Sequence, residues 1–375
     1  MANFGLMILF IFFSLGIIYG AHYFIYFSLV KFFAIESGNL KISLAVAFFV
    51  LPIFFVISSI LIRYFHNVFA NSLYFLSSLW LGIATTLFFL LVSAWLVYGL
   101  ARLAHLPINL QFVGILVLVF TLVFSVYGVW SAYHPRIKEI KVAIKNLPTE
   151  WQGKKVIQIS DVHLGHVLSK NFFEKLIAQI NAQNPEAVFV TGDLFDGMGD
   201  GFEYVAEEID KISAPSGVFF VTGNHETYFG LDNVYKFLNS SKIKIFHNDL
   251  VNLNGLQIIG INYPDRFAKI DLKKTIGEVV GFDPAKPSIL LFHTPFDILS
   301  VKESGISLEL CGHTHGGQIF PGGIITNLIY HGYDRGLHVE GDFSQYTSVG
   351  AGVWGPTMRT FAQPEIVVID LERKP

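Results

Sequence analysis

Five apolar runs in the 375-residue sequence end in side chains that commonly bind metal ions. In chain order, these ends carry Asp161 and His163, Asp193, Asn224 and His225, His293, and finally His313 and His315. One histidine of this kind is more often a packing residue than a ligand. Five runs that end in this way in series instead indicate a shared site, because polar groups at strand ends lie on loops that are free to bind.

Without His225, the set contains two aspartates, one asparagine and four histidines. Mixed imidazole and carboxylate ligands suit zinc, iron or manganese better than calcium or magnesium. Two ions need about seven protein groups if one carboxylate bridges them, and the lone Cys311 argues against a cysteine-bound structural zinc. Two divalent transition metal ions stabilise both the attacking and the leaving oxygen of a phosphoryl displacement. The pattern therefore predicts a dinuclear metal centre for phosphate ester chemistry.

Strands and helices that alternate from Ile137 onward must position these ligands. The segment "FFEKLIAQINAQ" places Phe173, Leu176 and Ile180 on one helical face, whereas "KKVIQIS", "EAVFVTGD" and "SILLFHTP" are typical of buried strands. The carboxyl ends of such strands converge on binding sites in open α/β sheets. The order predicts an α/β layer architecture, and the strand-rich later half predicts a second sheet.

The first third of the chain has a different composition. Residues 1–135 contain five charged side chains, and four uncharged stretches cover residues 4–30, 42–62, 72–100 and 108–133. A helix needs about 20 apolar residues to cross a bilayer. We therefore predict a transmembrane domain over 1–134 with about four spanning helices, a linker over 135–150 that contains one strand, and a soluble domain over 151–375.

Charge indicates where the soluble domain lies. Arg136, Lys138, Lys141 and Lys145 follow the last predicted span, which favours a cytoplasmic position and a multi-pass protein of the cell inner membrane. The spans contain His22 but no Asp, Glu, Lys or Arg, which favours an anchor over an ion pathway. We expect His22 to be a hydrogen-bonded structural residue. The formal net charge of −3 gives no indication of a nucleic-acid partner.

The ligand blocks resemble a known signature over roughly residues 150–372. The order Asp161-x-His163, Gly192-Asp193, Gly223-Asn224-His225-Glu226, His293 and Gly312-His313-x-His315 is similar to that of the calcineurin-like metallophosphoesterases. The resemblance implies a four-layer α/β/β/α sandwich, here preceded by the all-α four-helix transmembrane domain. It also implies a first metal ion held by Asp161, His163, Asp193 and His315, and a second held by Asp193, Asn224, His293 and His313.

The same resemblance implies catalytic roles. His225 would contact the phosphate and help to protonate the leaving group, with Glu226 as its orienting partner, while water activated by the two metal ions attacks phosphorus. The spans and the "GHTHGGQI" ending look like the membrane-tethered bacterial branch of the family, which includes enzymes similar to UDP-2,3-diacylglucosamine pyrophosphatases. Another group of those pyrophosphatases has arginine in place of His225, so similarity to that group is not supported.

This layout predicts a phosphodiesterase or pyrophosphatase acting on an amphiphilic substrate, such as a phospholipid, a lipid-linked diphosphate or a nucleotide-activated lipid. A phosphomonoesterase, including a protein phosphatase, would use the same metal ions and stays an alternative. A non-catalytic scaffold is disfavoured, because no ligand is missing from the set.

Several residues near the ligands have open interpretations. Asp196 is either an acceptor for a ligand histidine or a helix cap, and Arg266, Arg335 and Arg359 could bind phosphate. Gly312, Gly316 and Gly317 are expected to allow tight or positive-φ backbone next to the ligands. The apolar run "QIFPGGIITNLIYHGY" is expected to be a core strand or, alternatively, a lip for a lipid tail.

Overall fold

The computed structural model describes residues 2–65, 67–197, 201–264 and 270–374. Contacts divide the chain into two units. The helical unit contains residues 1–129 together with Gly355–Thr360, and the sheet unit contains Trp130–Trp354 and Phe361–Pro375. The boundaries predicted at residues 134 and 150 remain a proposal.

Four long helices form the helical unit: α1 (Ala2–Phe32), α2 (Gly38–Leu61), α3 (Val68–Leu103) and α4 (Leu110–Ala132). Each has a stretch long and apolar enough to cross a membrane, which confirms the predicted four-helix segment. Their apolar faces have few buried partners, since lipid rather than protein must cover them. At 1.5 Å per residue, α3 is about 54 Å long and exceeds the roughly 30 Å of a hydrocarbon core.

Hydrogen bonds join some of the polar side chains inside the helical unit. His22 Nδ1 lies 2.8 Å from the Ile18 carbonyl, and Trp80 Nε1 donates to His22 Nε2 over 3.1 Å. The structure thus shows His22 as the hydrogen-bonded residue that the sequence predicted. The segment Gly355–Thr360 packs in this unit, and Ser78 Oγ bonds both the Gly355 carbonyl and the Thr357 hydroxyl.

The described residues of the sheet unit form seven helices and twelve strands. In chain order they are β1 (Arg136–Ile144), β2 (Lys155–Ile159), α5 (Lys170–Asn181), β3 (Ala187–Thr191), α6 (Tyr204–Ile209), β4 (Val218–Val221), α7 (Asn224–Phe229), α8 (Leu231–Leu238), β5 (Lys244–Ile245), β6 (Asp249–Leu253), β7 (Leu256–Gly260), α9 (Leu272–Gly277), β8 (Ser288–Leu291), α10 (Ile298–Glu303), β9 (Leu308–Cys311), α11 (Gly322–Ile329), β10 (Gly336–Glu340), β11 (Phe343–Thr347) and β12 (Glu365–Arg373).

The strands form two six-stranded sheets. The first has the order β1-β12-β2-β3-β4-β5, and the second has the order β10-β11-β9-β8-β7-β6. In the first sheet β2, β3, β4 and β5 are parallel, and in the second β7, β8, β9 and β11 are parallel. The ends of these parallel strands lie at one edge of each sheet, which is where the ligand-bearing segments emerge.

Apolar side chains fill three layers of core. Val156, Phe189, Ile258 and Leu310 belong to the cluster that contains residues from both sheets. Helices α5, α6 and α8 pack on the other face of the first sheet, and α9 and α10 pack on that of the second. The predicted helical face of α5 is buried there, and each such side chain contributes about 1.5–3 kcal/mol through burial. This confirms the mixed α/β fold with two sheets.

The apolar run that follows the last ligand histidine is not a core strand. Residues Gly322–Ile329 form helix α11, whose Ile324, Ile325 and Leu328 are exposed. The expectation of a strand was wrong because the apolar residues follow a helical spacing that points them outward, whereas Gly323 and Thr326 face the protein.

One buried carboxyl group outside the ligand set predicts a pH-dependent stability. Glu309 in β9 is fully buried, and neither carboxyl oxygen has an N–H or O–H donor among the described residues. Burial raises the pKa of Glu309 from 4.5 to about 8, and the Cys311 thiol beside it opposes that rise only in part. Folding therefore favours the neutral acid. The contribution of this neutral acid to the free energy of unfolding is complete below about pH 4.5 and is lost as the pH rises towards 8.

We expect Glu309→Gln to remove the loss of stability that ionisation of Glu309 causes as the pH rises. The free energy of unfolding of the variant should match that of the wild type near pH 4.5 and exceed it by a few kcal/mol at pH 8. Unfolding of the detergent-solubilised chain at both pH values measures the difference. Glu303→Gln, at an exposed glutamate paired with Lys273, is the control. An equal effect of Glu309→Gln at both pH values would contradict the assignment.

Candidate metal centre

Strand ends from both sheets supply the predicted ligands. Asp161, Asp193 and Asn224 follow β2, β3 and β4 of the first sheet, whereas His293 and His313 follow β8 and β9 of the second. Three groups of side chains lie close enough for each to hold a metal ion: Asp161, His163 and His315; His163, Asp193 and His225; and Asp193, His293 and His313. The structure thus brings all seven predicted ligands and His225 to one place.

The first cluster is formed around His163. Its Nε2 lies 3.1 Å from His315 Nε2, and His315 Nε2 lies 3.6 Å from Asp161 Oδ1. Asp193 Oδ2 lies 3.8 Å from His163 Nε2 and so also borders this cluster.

The second cluster is formed around His293. Its Nε2 lies 3.2 Å from Asp193 Oδ2, 3.1 Å from Asn224 Oδ1 and 3.3 Å from His313 Nδ1. Asn224 Oδ1 also lies 2.9 Å from His313 Nδ1. One oxygen, Asp193 Oδ2, therefore borders both clusters, which is the arrangement that a bridging carboxylate needs.

These spacings fit metal ions. Ligands that bind one ion at about 2.0–2.2 Å lie roughly 3 Å from one another. Two imidazole nitrogens that both carry lone pairs repel at 3.1 or 3.3 Å unless a cation or a proton lies between them. The donors are nitrogen and oxygen, as zinc, iron and manganese sites require.

The pKa values of the buried side chains also indicate that the site needs positive charge. Burial lowers the pKa of His293, but the Asp193 and Asp161 carboxylates outweigh burial and raise it to about 10. Burial raises the pKa of Asp161 to about 6, although His293 opposes the rise. For Asp193, the nearby His293, His225 and His163 outweigh burial and depress the pKa. The pocket therefore retains a proton on His293 when no other cation compensates the carboxylates.

Backbone carbonyls orient two of the histidines. His293 Nδ1 donates to the Thr191 carbonyl over 2.8 Å, which leaves its Nε2 directed at the ligand cluster. His225 Nδ1 donates to the Asp196 carbonyl over 2.7 Å. His225 is thereby held with Nε2 available for proton exchange.

The family resemblance implied that Glu226 orients His225. In the structure, the hydrogen bonds given for the Glu226 carboxylate instead come from backbone N–H groups. Its Oε2 accepts hydrogen bonds from the backbone of Asp193 over 2.8 Å and of Gly223 over 2.7 Å, and its Oε1 accepts from Phe195 over 3.1 Å. Burial raises the pKa of Glu226 to about 7, with Asp193 adding to the rise. The residue fixes the two loops that carry Asp193 and Asn224.

Five of the seven predicted ligands have a left-handed backbone: Asp161, His163, Asp193, His313 and His315. Side chains other than glycine rarely adopt this conformation, and it costs of order 1 kcal/mol or more per residue. Gly316 and Gly317 also have positive φ, as expected. Gly312 instead provides space, because a Cβ atom there would lie 1.9 Å from Ser160 Oγ and 2.3 Å from Asp161 Oδ2.

Aromatic side chains around the ligands were not identified from the sequence. Tyr263 lies 6.1 Å from the His293 ring and Tyr330 lies 6.2 Å from the His313 ring, measured between ring centroids. Tyr228 and Trp354 lie 5.5 and 5.4 Å from the His225 ring. Only Tyr228 had a local signal, because it follows His225 by three residues and so lies near it on a helix.

The other candidates have different outcomes. Asp196 contributes its backbone carbonyl to His225, while its carboxylate Oδ1 lies 3.8 Å from His163 Nδ1, too far for a hydrogen bond. Arg335 stacks on Phe361, with its guanidinium carbon 4.8 Å from the ring centroid. Arg359 is buried within the segment assigned to the helical unit. Arg266 lies outside the described residues.

We expect Gly312→Ala to weaken metal binding by about tenfold or more, because the new methyl group must displace the Asp161 carboxylate. Metal retained after dialysis, measured by inductively coupled plasma mass spectrometry, tests this. Gly277→Ala is the control, since nothing lies within 4 Å of a Cβ atom built there. Unchanged metal retention in Gly312→Ala would show that this close approach does not position the ligand.

Comparison of the sequence with known proteins identifies its family. A family model described as calcineurin-like phosphoesterase matches residues 154–317. An uncharacterised metallophosphoesterase of Campylobacter jejuni is 34% identical over 269 residues, which are 68% of this chain and 69% of that protein. The metallophosphoesterase YkuE of Bacillus subtilis is 30% identical, over 60% of this chain and 82% of its own length.

A second kind of relative is described as a transmembrane protein. A Danio rerio protein described as a transmembrane protein with metallophosphoesterase domain is 28% identical over 69% of this chain. The match spans 62% of the Danio rerio protein, less than two thirds of its length. With the four apolar helices, this relative indicates a membrane protein. The chain belongs to the calcineurin-like metallophosphoesterase family and is a metal-dependent phosphoesterase.

Proposed function

We propose that this membrane-anchored enzyme hydrolyses a phosphodiester or diphosphate bond in a lipid or lipid-linked substrate. The observation that carries the proposal is the pair of ligand clusters joined at Asp193 Oδ2, with His225 beside them. We further propose that the sheet unit lies in the cytoplasm, at the inner membrane, on the basis of the cations that follow α4.

Each ligand has a proposed place in this reaction. Asp161, His163 and His315 would hold one divalent ion, Asn224, His293 and His313 would hold the other, and Asp193 would contribute to both sites. When bound, the two ions would supply an activated water and compensate the charge of the phosphoryl oxygens. Either manganese, iron or zinc suits these donors.

His225 is the proposed proton donor for the leaving group. Its backbone N–H donates to Asp193 Oδ1 over 2.9 Å, so the residue is tied to the proposed bridging carboxylate. Its Nδ1 is already used by the Asp196 carbonyl, which leaves Nε2 to deliver a proton. The proposal is supported by the closeness of His225 to the clusters, since one of its ring nitrogens lies within 4.8 Å of ligand atoms of His163 and Asp193.

A lipid substrate is supported by the surroundings of the site. The enzyme is anchored by four apolar helices, and an amphiphilic ester is held in the same membrane. The rings of Tyr263 and Tyr330 border the proposed ligand histidines, the Trp354 ring borders His225, and each ring offers apolar surface with a polar atom. Such a border suits a substrate whose phosphate group adjoins an apolar part.

We expect the purified chain in mild detergent with Mn²⁺ to hydrolyse bis-p-nitrophenyl phosphate faster than p-nitrophenyl phosphate. Asp193→Ala should reduce the rate by at least about 100-fold, because both clusters lose a ligand. Asp232→Ala, at an exposed position in α8, should have no effect. A clear preference for the monoester would favour a phosphomonoesterase. If neither these esters nor lipid diphosphates are hydrolysed with any transition metal, the result would favour a non-catalytic scaffold.

The role of His225 can be separated from metal binding. We expect His225→Ala to lower kcat by about 100-fold or more on a diester with a poor leaving group, and by much less on a nitrophenyl ester, whose leaving group needs no proton. Metal content should stay unchanged. His247→Ala, at an exposed histidine, is the control. An equal loss on both esters would argue against proton donation by His225.

A further inference from the structure

Helix α11 has its apolar face on the outside. Ile324, Ile325, Leu328 and Ile329 repeat at the spacing of one helical face, and they are 54–71% exposed. Phe320 and Phe361, whose ring centroids lie 6.0 Å apart, extend the surface. We call these six residues the apolar patch. A helix on a water-soluble surface has the opposite arrangement, with its apolar face towards the core.

The inner face of α11 is held by polar groups and close backbone contacts. Thr326 Oγ1 donates to Asp334 Oδ2 over 2.8 Å, and Asn327 Nδ2 donates to Asp334 Oδ1 over 3.0 Å. Asp334 itself is fully buried. A Cβ atom at Gly317 would lie 2.0 Å from the backbone nitrogen of Gly323. The orientation of the helix is therefore determined by its attachment, and the apolar face has no room to turn inward.

The same attachment links the patch to the metal centre. Gly317 follows the ligand His315 by two residues, and Thr314, between the two ligand histidines, donates to the Asp334 carbonyl over 2.5 Å. At the other end of α11, the Tyr330 ring lies 6.2 Å from the His313 ring. The patch thus begins within a few residues of two ligands.

Two features of the chain indicate what covers this patch. Between Glu309 and Asp334 the sequence has no Asp, Glu, Lys or Arg, so nothing in the segment requires bulk water. Strand β1 begins four residues after α4 ends, and three linking residues extend about 10 Å at most. The sheet unit is therefore tethered by a short link to a candidate span, whereas a separate protein partner has no such tether.

We propose that α11 and its apolar patch insert into the headgroup–acyl boundary of the bilayer that holds the spans. Short helices with a strongly apolar face lie in this boundary and bury it several ångströms deep. The contact would place the ligand loop at the membrane surface, where an ester of a lipid is presented. The membrane contact does not depend on the proposed substrate; only its catalytic consequence rests on the proposed function.

The test uses the full chain in nanodiscs that hold one copy each. Leu328→Cys and Val280→Cys are labelled with a nitroxide, and wild type measures background, since Cys311 is fully buried. Val280 is a matched control, because it is apolar and 91% exposed but lies outside the patch. We expect the label at Leu328 to be less accessible to a water-soluble nickel complex than the label at Val280. We expect it to be more accessible to oxygen. Ile325→Cys repeats the measurement if Leu328→Cys does not fold.

Two outcomes would overturn the proposal. One is equal accessibility of the labels at Leu328 and Val280 to the nickel complex. The other is protection of Leu328 only in discs with two or more copies, which would identify a second copy of the chain as the occupant.

The catalytic consequence is measured separately. Leu328→Asp should lower hydrolysis of a phospholipid in vesicles by about tenfold relative to hydrolysis of bis-p-nitrophenyl phosphate, and Val280→Asp should leave this ratio unchanged. If wild type hydrolyses neither compound, the proposed function fails while the nitroxide result still decides the membrane contact. Protection of Leu328 with an unchanged ratio would disprove the catalytic link.

Discussion

The Asp193 carboxylate is the group on which the site depends. It is almost fully buried, its Oδ1 accepts the His225 backbone N–H, and its Oδ2 borders His163 on one side and His293 on the other. His163 follows β2 of the first sheet and His293 follows β8 of the second. A buried negative charge is tolerated only when positive groups surround it. Both sheets must therefore deliver their strand ends to one point, and this requirement explains why they pack with parallel strands ending at a common edge.

The protein accepts local strain to meet that requirement. Left-handed backbone at five ligands is costly, and it persists only where surrounding contacts determine it. Glu226 supplies three such contacts to the loops of Asp193, Phe195 and Gly223. A carboxylate that accepts three backbone hydrogen bonds restrains loop conformation far more than it could by touching one imidazole. Its position directly after His225 thus has a structural reason, although the sequence suggested a catalytic one.

The spacing of apolar residues along the chain was sufficient to predict those elements in which this spacing is regular. The face of α5, the strand ends with their ligands, the second sheet and the four apolar helices all follow from spacing along the chain. Contacts between distant segments were not predictable in this way. Tyr263 and Trp354 reach the histidines only because the sheets bring separate loops together, and nothing in their own sequence neighbourhood marks them. The prediction for α11 was wrong for a different reason: apolar content usually means burial, whereas the apolar side chains of this helix are exposed.

Three kinds of side chain lie in and around the site that contains Asp193. Carboxylates and imidazoles lie innermost, and rings that combine apolar surface with a polar atom come next, at Tyr228, Tyr263, Tyr330 and Trp354. Aliphatic side chains of α11 precede Tyr330 along the chain and face outward. Aromatic residues of this kind prefer the interface between apolar and aqueous surroundings. A free phosphate or a small soluble ester would need only the innermost groups. The additional aromatic and aliphatic surfaces are those that the proposed amphiphilic substrate would contact with its apolar part.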